Sequence, residues 1–272
     1  MKKVFFFLLL SFSTSAFASV TFKERDALLQ LYYSTNGNTW KIKWNLAAPV
    51  ATWYGVTVQE GKVVGIDLSG NNLSGTVPAA IGDLVFLKKL HLKQNKIEGI
   101  IPKAIGNLVQ LNSLNLSQNN LQGAIPSTIE NLDSLLELDL GMNQLIGNLP
   151  TGIGKLVRLE VLSLYNNDLE GELPVSLYTI RTLKTVLLNG NHFNGVLHDN
   201  VAKLSDLEQL SLFDNELKGL IPRGLEKLKK LRELNISYNN FKGPVSEELW
   251  NKDALNLTML TSKGKIVLLE TI

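Results

Sequence analysis

An asparagine returns every 24 residues along this chain, at Asn71, Asn95, Asn119, Asn143, Asn167, Asn191, Asn215 and Asn239. Eight copies of one unit fit in register without a gap, from Val63 to Ala254. A unit of that size cannot bury its apolar side chains by itself, so a fixed period of this kind means that copies stack and share a continuous core. The chain is therefore expected to be a solenoid.

Each position in the unit has a physical task. The second copy runs Leu87-Lys-Lys-Leu90-His-Leu92-Lys-Gln-Asn95-Lys-Ile97-Glu-Gly99-Ile-Ile101-Pro102. Leu90 and Leu92 alternate with His91, a period of two that marks a short strand with one buried face. Stacked copies of that strand make a parallel sheet with a spacing of about 4.8 Å, a strip roughly 35–40 Å long. Leu87 and Ile97 flank the strand and enter the same core. Asn95 stands where the chain leaves the strand, and its amide is expected to satisfy backbone groups of neighbouring turns. The eight asparagines then form a ladder inside the coil. Gly99 and its counterparts suit a turn with positive φ. Pro102 lacks an N–H and closes the following extended segment. Ile105 and Leu108, three apart, predict one turn of helix or 3-10 helix on the outer face.

The pattern L-x-x-L-x-L-x-x-N-x-L is the leucine-rich repeat signature. The run G-x-I-P followed by x-x-I-G-x-L resembles the plant-type repeats of receptor ectodomains and polygalacturonase-inhibiting proteins. It stands here as Gly123-Ala-Ile125-Pro126 and Gly219-Leu-Ile221-Pro222, with Gly82, Gly106 and Gly154 at the I-G step. The resemblance covers residues 63–254. It implies an α/β solenoid: a right-handed coil with a parallel concave β-sheet, a smaller second sheet, short 3-10 or helical outer segments and a helical N-terminal cap. Trp53-Tyr54-Gly55-Val56 resembles the cap core of the same families. Their flanking cysteines are replaced here by Ala51 and Val58, which removes a disulfide.

The ends differ from the repeats. Lys2-Lys3, an apolar run from Val4 to Leu10 and Ala16-Phe17-Ala18 form a secretory signal peptide of bacterial style, residues 1–18. The run is far shorter than the roughly 20 residues a membrane span needs. Residues 19–62 form an N-terminal cap, with Leu28, Leu31 and Tyr32 on one helical face. Trp40, Trp44 and Trp53 also lie there. They serve either as cap core or as a stacking platform for sugars or bases. Residues 255–272 form a C-terminal cap, in which 265–272 read as a last strand. There is no cysteine, which excludes disulfides, thiol nucleophiles and cysteine metal sites. Without the leader, basic and acidic residues balance at 25 each. That balance gives no reason to expect nucleic acid or an anionic membrane as partner. No transmembrane segment is expected in the mature chain, and no phosphate-binding loop or other cofactor motif occurs.

Function in a solenoid lives on the residues between the leucines of the concave strands. Lys89, His91 and Lys93 make a basic spot in the second copy. Glu137 and Asp139 put two carboxylates on the fourth, about 6–7 Å apart along the strand. Met142, Tyr165, Leu187, Phe213 and Tyr238 make an aromatic and apolar track, the composition of a binding hot spot. The run Arg223, Lys227, Lys229, Lys230 and Arg232 reads as a solvated outer face, partly balanced by Glu226 and Glu233. A paired carboxylate is what glycosidases use, but an open face lacks the water-excluding pocket of catalysis. His91 stands roughly 20 Å from His192 and His198 at strand spacing, and no Ser-His-Asp set spans that gap.

These observations point to a secreted or periplasmic, non-enzymatic module without cofactor or metal. It is expected to bind a protein or peptide through its concave face, by Tyr165, Phe213, Tyr238 and Met142, with Lys89, His91, Lys93, Glu137 and Asp139 as charged contacts. The alternative is an inhibitor or binder of a secreted glycan-active enzyme or of a polysaccharide, with a glycan as partner.

Overall fold

The computed structural model describes residues 20–243 and Leu249. The signal peptide at 1–18 and the C-terminal cap at 255–272 lie outside the described residues.

Each 24-residue unit closes one coil. The concave strands are only three residues long beyond the first coil, as in Lys89–His91, Ser113–Asn115 and Glu137–Asp139. They pair in parallel and in register, so that His91, Asn115 and Asp139 form one column of side chains. Strands this short gain stability from stacking, since a three-residue ladder alone is marginal. The leucines facing inward, among them Leu90, Leu114, Leu138 and Leu162, are fully buried. Each such burial contributes on the order of 1.5–3 kcal/mol.

The concave sheet has nine strands rather than eight. The extra one, Val56–Gln59, comes from the cap and pairs antiparallel with Lys62–Asp67. Glu60 and Gly61 join them with positive φ at both positions, the mirror-image turn that matches strand twist. A second parallel sheet of six strands follows the ladder asparagines. Past His192–Asn194 it is interrupted, and a bridge from Val196 to Lys218 leads to a two-stranded continuation.

The ladder is as expected, and its direction is specific. Asn143 Oδ1 accepts from the Leu121 N–H of the preceding coil at 3.0 Å. Its Nδ2 donates to Leu116 O, also one coil back, and to Leu140 O in its own coil. Asn71 has no coil behind it. Its amide instead accepts from Ile42 N and donates to Ile42 O, so the cap offers its main chain in place of a missing coil.

Single 3-10 turns such as Lys103–Asn107 line the outer face, each preceded by proline in six coils. In the sixth coil His198 takes the proline position, and its ring Nδ1 caps the turn by accepting from Asn200 N at 3.0 Å. The outer-face cations Lys230 and Arg232 pair with Asp206 and Glu208 of the preceding coil. For these two, the balancing charge comes from one coil back rather than from Glu226 and Glu233.

The cap is anchored by α1, Phe22–Ser34, which opens with a capping box between Thr21 and Glu24. Glu24 is buried, and its second oxygen accepts from Val63 N, which ties the helix to the first coil. Trp40, Trp44 and Trp53 are buried to within 4% of full coverage. Trp44 stacks on Trp53 at 4.7 Å between centroids, and all three indole N–H groups donate to main-chain carbonyls. The tryptophans are therefore cap core, and the stacking-platform alternative is overturned for them.

Candidate functional site

The concave sheet divides into two halves of different chemistry. In the first five coils its polar side chains bond to one another across coils. Lys89 Nζ meets Asp67 Oδ2 at 2.9 Å. His91 Nε2 lies 2.6 Å from Ser113 Oγ, and Ser113 Oγ donates to Glu137 Oε2 at 2.7 Å. Asp139 accepts from Asn115, from Ser163 and from the Gly141 N–H. The expected basic spot is thus closed by an acid one coil back, with Lys93 left exposed. Glu137 and Asp139 are held by separate donors and do not act on one point.

Burial works against ionisation of Asp67, but hydrogen bonds from Lys89 and Ser69 outweigh it and hold its pKa below the usual value. Burial pushes the His91 pKa down, reinforced by Lys89, against the pull of Asp67 and Glu137. A neutral His91 that donates from Nε2 to Ser113, while Ser113 donates to Glu137, satisfies both short contacts. Asp67, His91 and Ser113 stand on successive coils, a set that sequence reasoning missed. Aligning the copies by column could have found it, since Asp67 and His91 occupy the same position. It lacks the geometry of a catalytic triad: the serine hydroxyl donates to Glu137 rather than to His91, and Nδ1 is 3.7 Å from Asp67.

From the fifth coil on, apolar and aromatic side chains join the polar ones, among which Gln209 donates to Glu233 at 2.6 Å. Tyr165 and Phe213 occupy the same position two coils apart, both half-buried. The Tyr165 ring lies over Gly141 of the preceding coil, where a Cβ would collide with it. Phe213 leans the other way and meets Tyr238 edge to face at 5.0 Å. Leu187, on the coil between them, is the one apolar residue in a column otherwise made of Asp67, His91, Asn115, Asp139, Ser163, Ser211 and Asn235. The track is therefore three columns, since Met142 and Tyr238 belong to the position just before the ladder asparagine. That position takes positive φ in every coil, at 55° for Met142 and 56° for Tyr238. Gly190 and Asn166 suit it, whereas a bulky side chain there is strained.

At the rim a hollow of about 540 Å³ is lined by Gly190 and Tyr238 among others. Asp168, Asp214 and Glu216 line it, with His192 3.3 Å from Glu216 and 4.0 Å from Asp168. No cluster of His, Cys, Asp and Glu with the makings of a metal site occurs among the described residues.

Comparison with known proteins agrees with this architecture. Residues 139–263 match the family model described as leucine-rich repeat region, and residues 62–121 match the one described as leucine rich repeat. The chain belongs to the plant-type leucine-rich repeat proteins. It is similar to a TDR receptor, at 34% identity and a TM-score of 0.67, covering 71% of this chain and 33% of that one. It is also similar to the Arabidopsis receptor kinase HAESA, solved with the peptide hormone IDA and the co-receptor SERK1. Identity there is 27% and the TM-score 0.70, over 89% of this chain and 46% of that one. A plant ice-binding protein matches at 25% identity and a TM-score of 0.74, over 89% of this chain and 85% of that one. The chain thus spans less than half the length of these two receptor chains. Among the described residues no helix is long and apolar enough to cross a membrane.

Proposed function

We propose that the protein is an exported, non-enzymatic recognition module that binds a protein or peptide along the second half of its concave sheet. The observation that carries this reading is the change of chemistry along that sheet. In the first half Asp67, Lys89, His91, Ser113, Glu137 and Asp139 already bond to one another or to neighbouring groups, so binding at those side chains must break bonds before making them. In the second half Tyr165, Phe213 and Tyr238 offer half-buried aromatic area without side-chain hydrogen bonds among the described residues, the composition of binding hot spots. Met142 extends that surface, with its side chain 44% exposed. Lys89, His91, Glu137 and Asp139 brace the sheet, and Lys93 remains available to a ligand reaching that end. The similarity to HAESA, solved with a peptide hormone, supports a peptide or protein as the ligand class. The signal-peptide pattern at residues 1–18 supports export.

Capture from the native surroundings tests the reading, with wild type as bait and Tyr165→Ala/Phe213→Ala/Tyr238→Ala as control. A protein or peptide held by wild type and lost by the control is the expected result. A partner held equally by both baits would move the site off this face. A polysaccharide or a secreted glycan-active enzyme as the retained species would favour the second ligand class.

A further inference from the structure

We infer that the aromatic half of the sheet is a two-part site for an extended peptide, in which an apolar side chain enters the slot between Tyr165 and Phe213 and a neighbouring lysine or arginine enters the hollow at Gly190. The inference deepens the proposed peptide-binding function and rests on it.

The slot follows from the way the two rings lean. Tyr165 and Phe213 are two coils apart, about 10 Å at strand spacing. Tyr165 rests on Gly141 and Phe213 on Tyr238, so both turn away from the coil between them. Asn189 lies between the two rings in their own column, and Leu187, two residues before it on the same strand face, stands beside it; both are half-buried. A slot with two aromatic walls, Leu187 at its side and the Asn189 amide beneath fits one apolar side chain and leaves a polar group for the ligand's main chain.

The hollow supplies the second requirement. Gly190 lines it, and the Asn166 side chain packs where a Cβ at position 190 would lie. Its walls carry Asp168, Asp214 and Glu216, against which His192 is the one basic group, and Tyr238 lines it as well. The Asp214 carboxylate has no partner among the described residues. A cation placed there meets carboxylates and the Tyr238 ring together, so charge-assisted bonds and a cation–π contact act on the same group. Leu187 and Gly190 are separated by three residues, so slot and hollow are reached from side chains within about two residues of each other, given about 3.3 Å per extended residue. The charge and shape commit the site to a basic peptide segment with an adjacent apolar residue.

Panning random linear peptides against the purified protein tests this. The enriched sequences are then measured on Asp214→Asn/Glu216→Gln and on Tyr165→Ala/Phe213→Ala. Both variants change half-buried or exposed side chains, and a thermal melt confirms that each is folded. The expected result is enrichment of an apolar residue next to lysine or arginine, with affinity falling about tenfold or more on each variant. Peptides that lack a basic residue, or that bind the charge variant unchanged while failing on the aromatic one, would overturn this inference and leave the concave-face function standing. Peptides indifferent to both variants, or no enrichment over them, would overturn both.

Discussion

The ring of Tyr165 lies directly against Gly141, the residue at the corresponding position one coil earlier. Gly141 has an ordinary backbone angle, so its lack of a side chain serves the ring and not the turn. Gly141→Ala should push the ring off its seat. We expect an overpacking cost of about 1–3 kcal/mol, read as a lower Tm. Affinity for the peptides or partner found by panning or capture should fall along with it. Unchanged affinity in a folded Gly141→Ala protein would remove the seating of Tyr165 from the site.

Met142 holds a left-handed backbone angle, 55° in φ, with a side chain 44% exposed. That conformation costs an ordinary residue about 1–2 kcal/mol, and asparagine tolerates it better. Met142→Asn should therefore raise stability by about 1 kcal/mol in denaturant titration while weakening ligand binding. Strain kept where a tamer residue would fit is the pattern of a functional position. A variant that gains stability and binds as before would place Met142 outside the contact surface.

The ladder asparagines should be far less replaceable. Asn143→Ala strands the Leu121 N–H inside the coil and takes one of two donors from the Leu116 and Leu140 carbonyls, which keep Asn119 and Asn167. The stranded N–H alone costs about 1–3 kcal/mol of unfolding free energy. Lys184→Ala, which breaks an exposed pair with Glu160, should leave the denaturation midpoint close to that of wild type.

His91 gives stability a pH dependence of predictable sign. Its folded pKa lies below the ordinary value of 6.5 because of burial and Lys89. As pH falls through that value, the unfolded chain takes up a proton that the folded chain resists. Stability should therefore decline below about pH 6.5 and recover above it. His91→Gln keeps a donor for Ser113 but does not titrate. Its stability should vary less between pH 7 and 5, measured as the difference between parallel chemical denaturations. An identical slope in both proteins would exclude His91 as a source.

Tyr178 stands where three other coils have glycine, at Gly82, Gly106 and Gly154, and its hydroxyl is buried without a hydrogen-bond partner among the described residues. Burial pushes its pKa up to about 12, while the His198 main chain beside it works weakly in the other direction without meeting the geometry of a bond. Tyr178→Phe should be neutral or stabilising by about 1 kcal/mol, since an unpaired polar group is removed with its shape kept. Above about pH 10 the unfolded chain ionises first, so wild-type stability should fall there. The phenylalanine variant should lose less.

The 24-residue period made the coil, its two sheets, the ladder and the outer turns legible, because each rests on a residue type that recurs at one position. The Val56–Gln59 strand was not legible. Its turn is Glu60-Gly61 rather than an asparagine- or aspartate-glycine pair, and it pairs with a coil instead of repeating one. The network from Lys89 to Asp139 escaped notice for a different reason. Its members lie in adjacent columns, and only their joint alignment brings His91, Ser113 and Glu137 into one line. Tyr165, Phe213 and Tyr238 were legible as exposed aromatics, but the direction in which each ring leans depends on Gly141 and on ring–ring contact.

Each ladder asparagine completes the coil before it, and Asn71 treats the cap's Ile42 as such a coil. The joint between any two coils is therefore chemically the same joint. Whole units can be gained or lost in a gene at any of these seams without inventing new fastenings. What such an exchange would alter is spacing: a coil added between Tyr165 and Leu187 would move Tyr165 and Phe213 one strand's width further apart. The distance between the two rings can thus be tuned by duplication, while the seams on either side stay untouched.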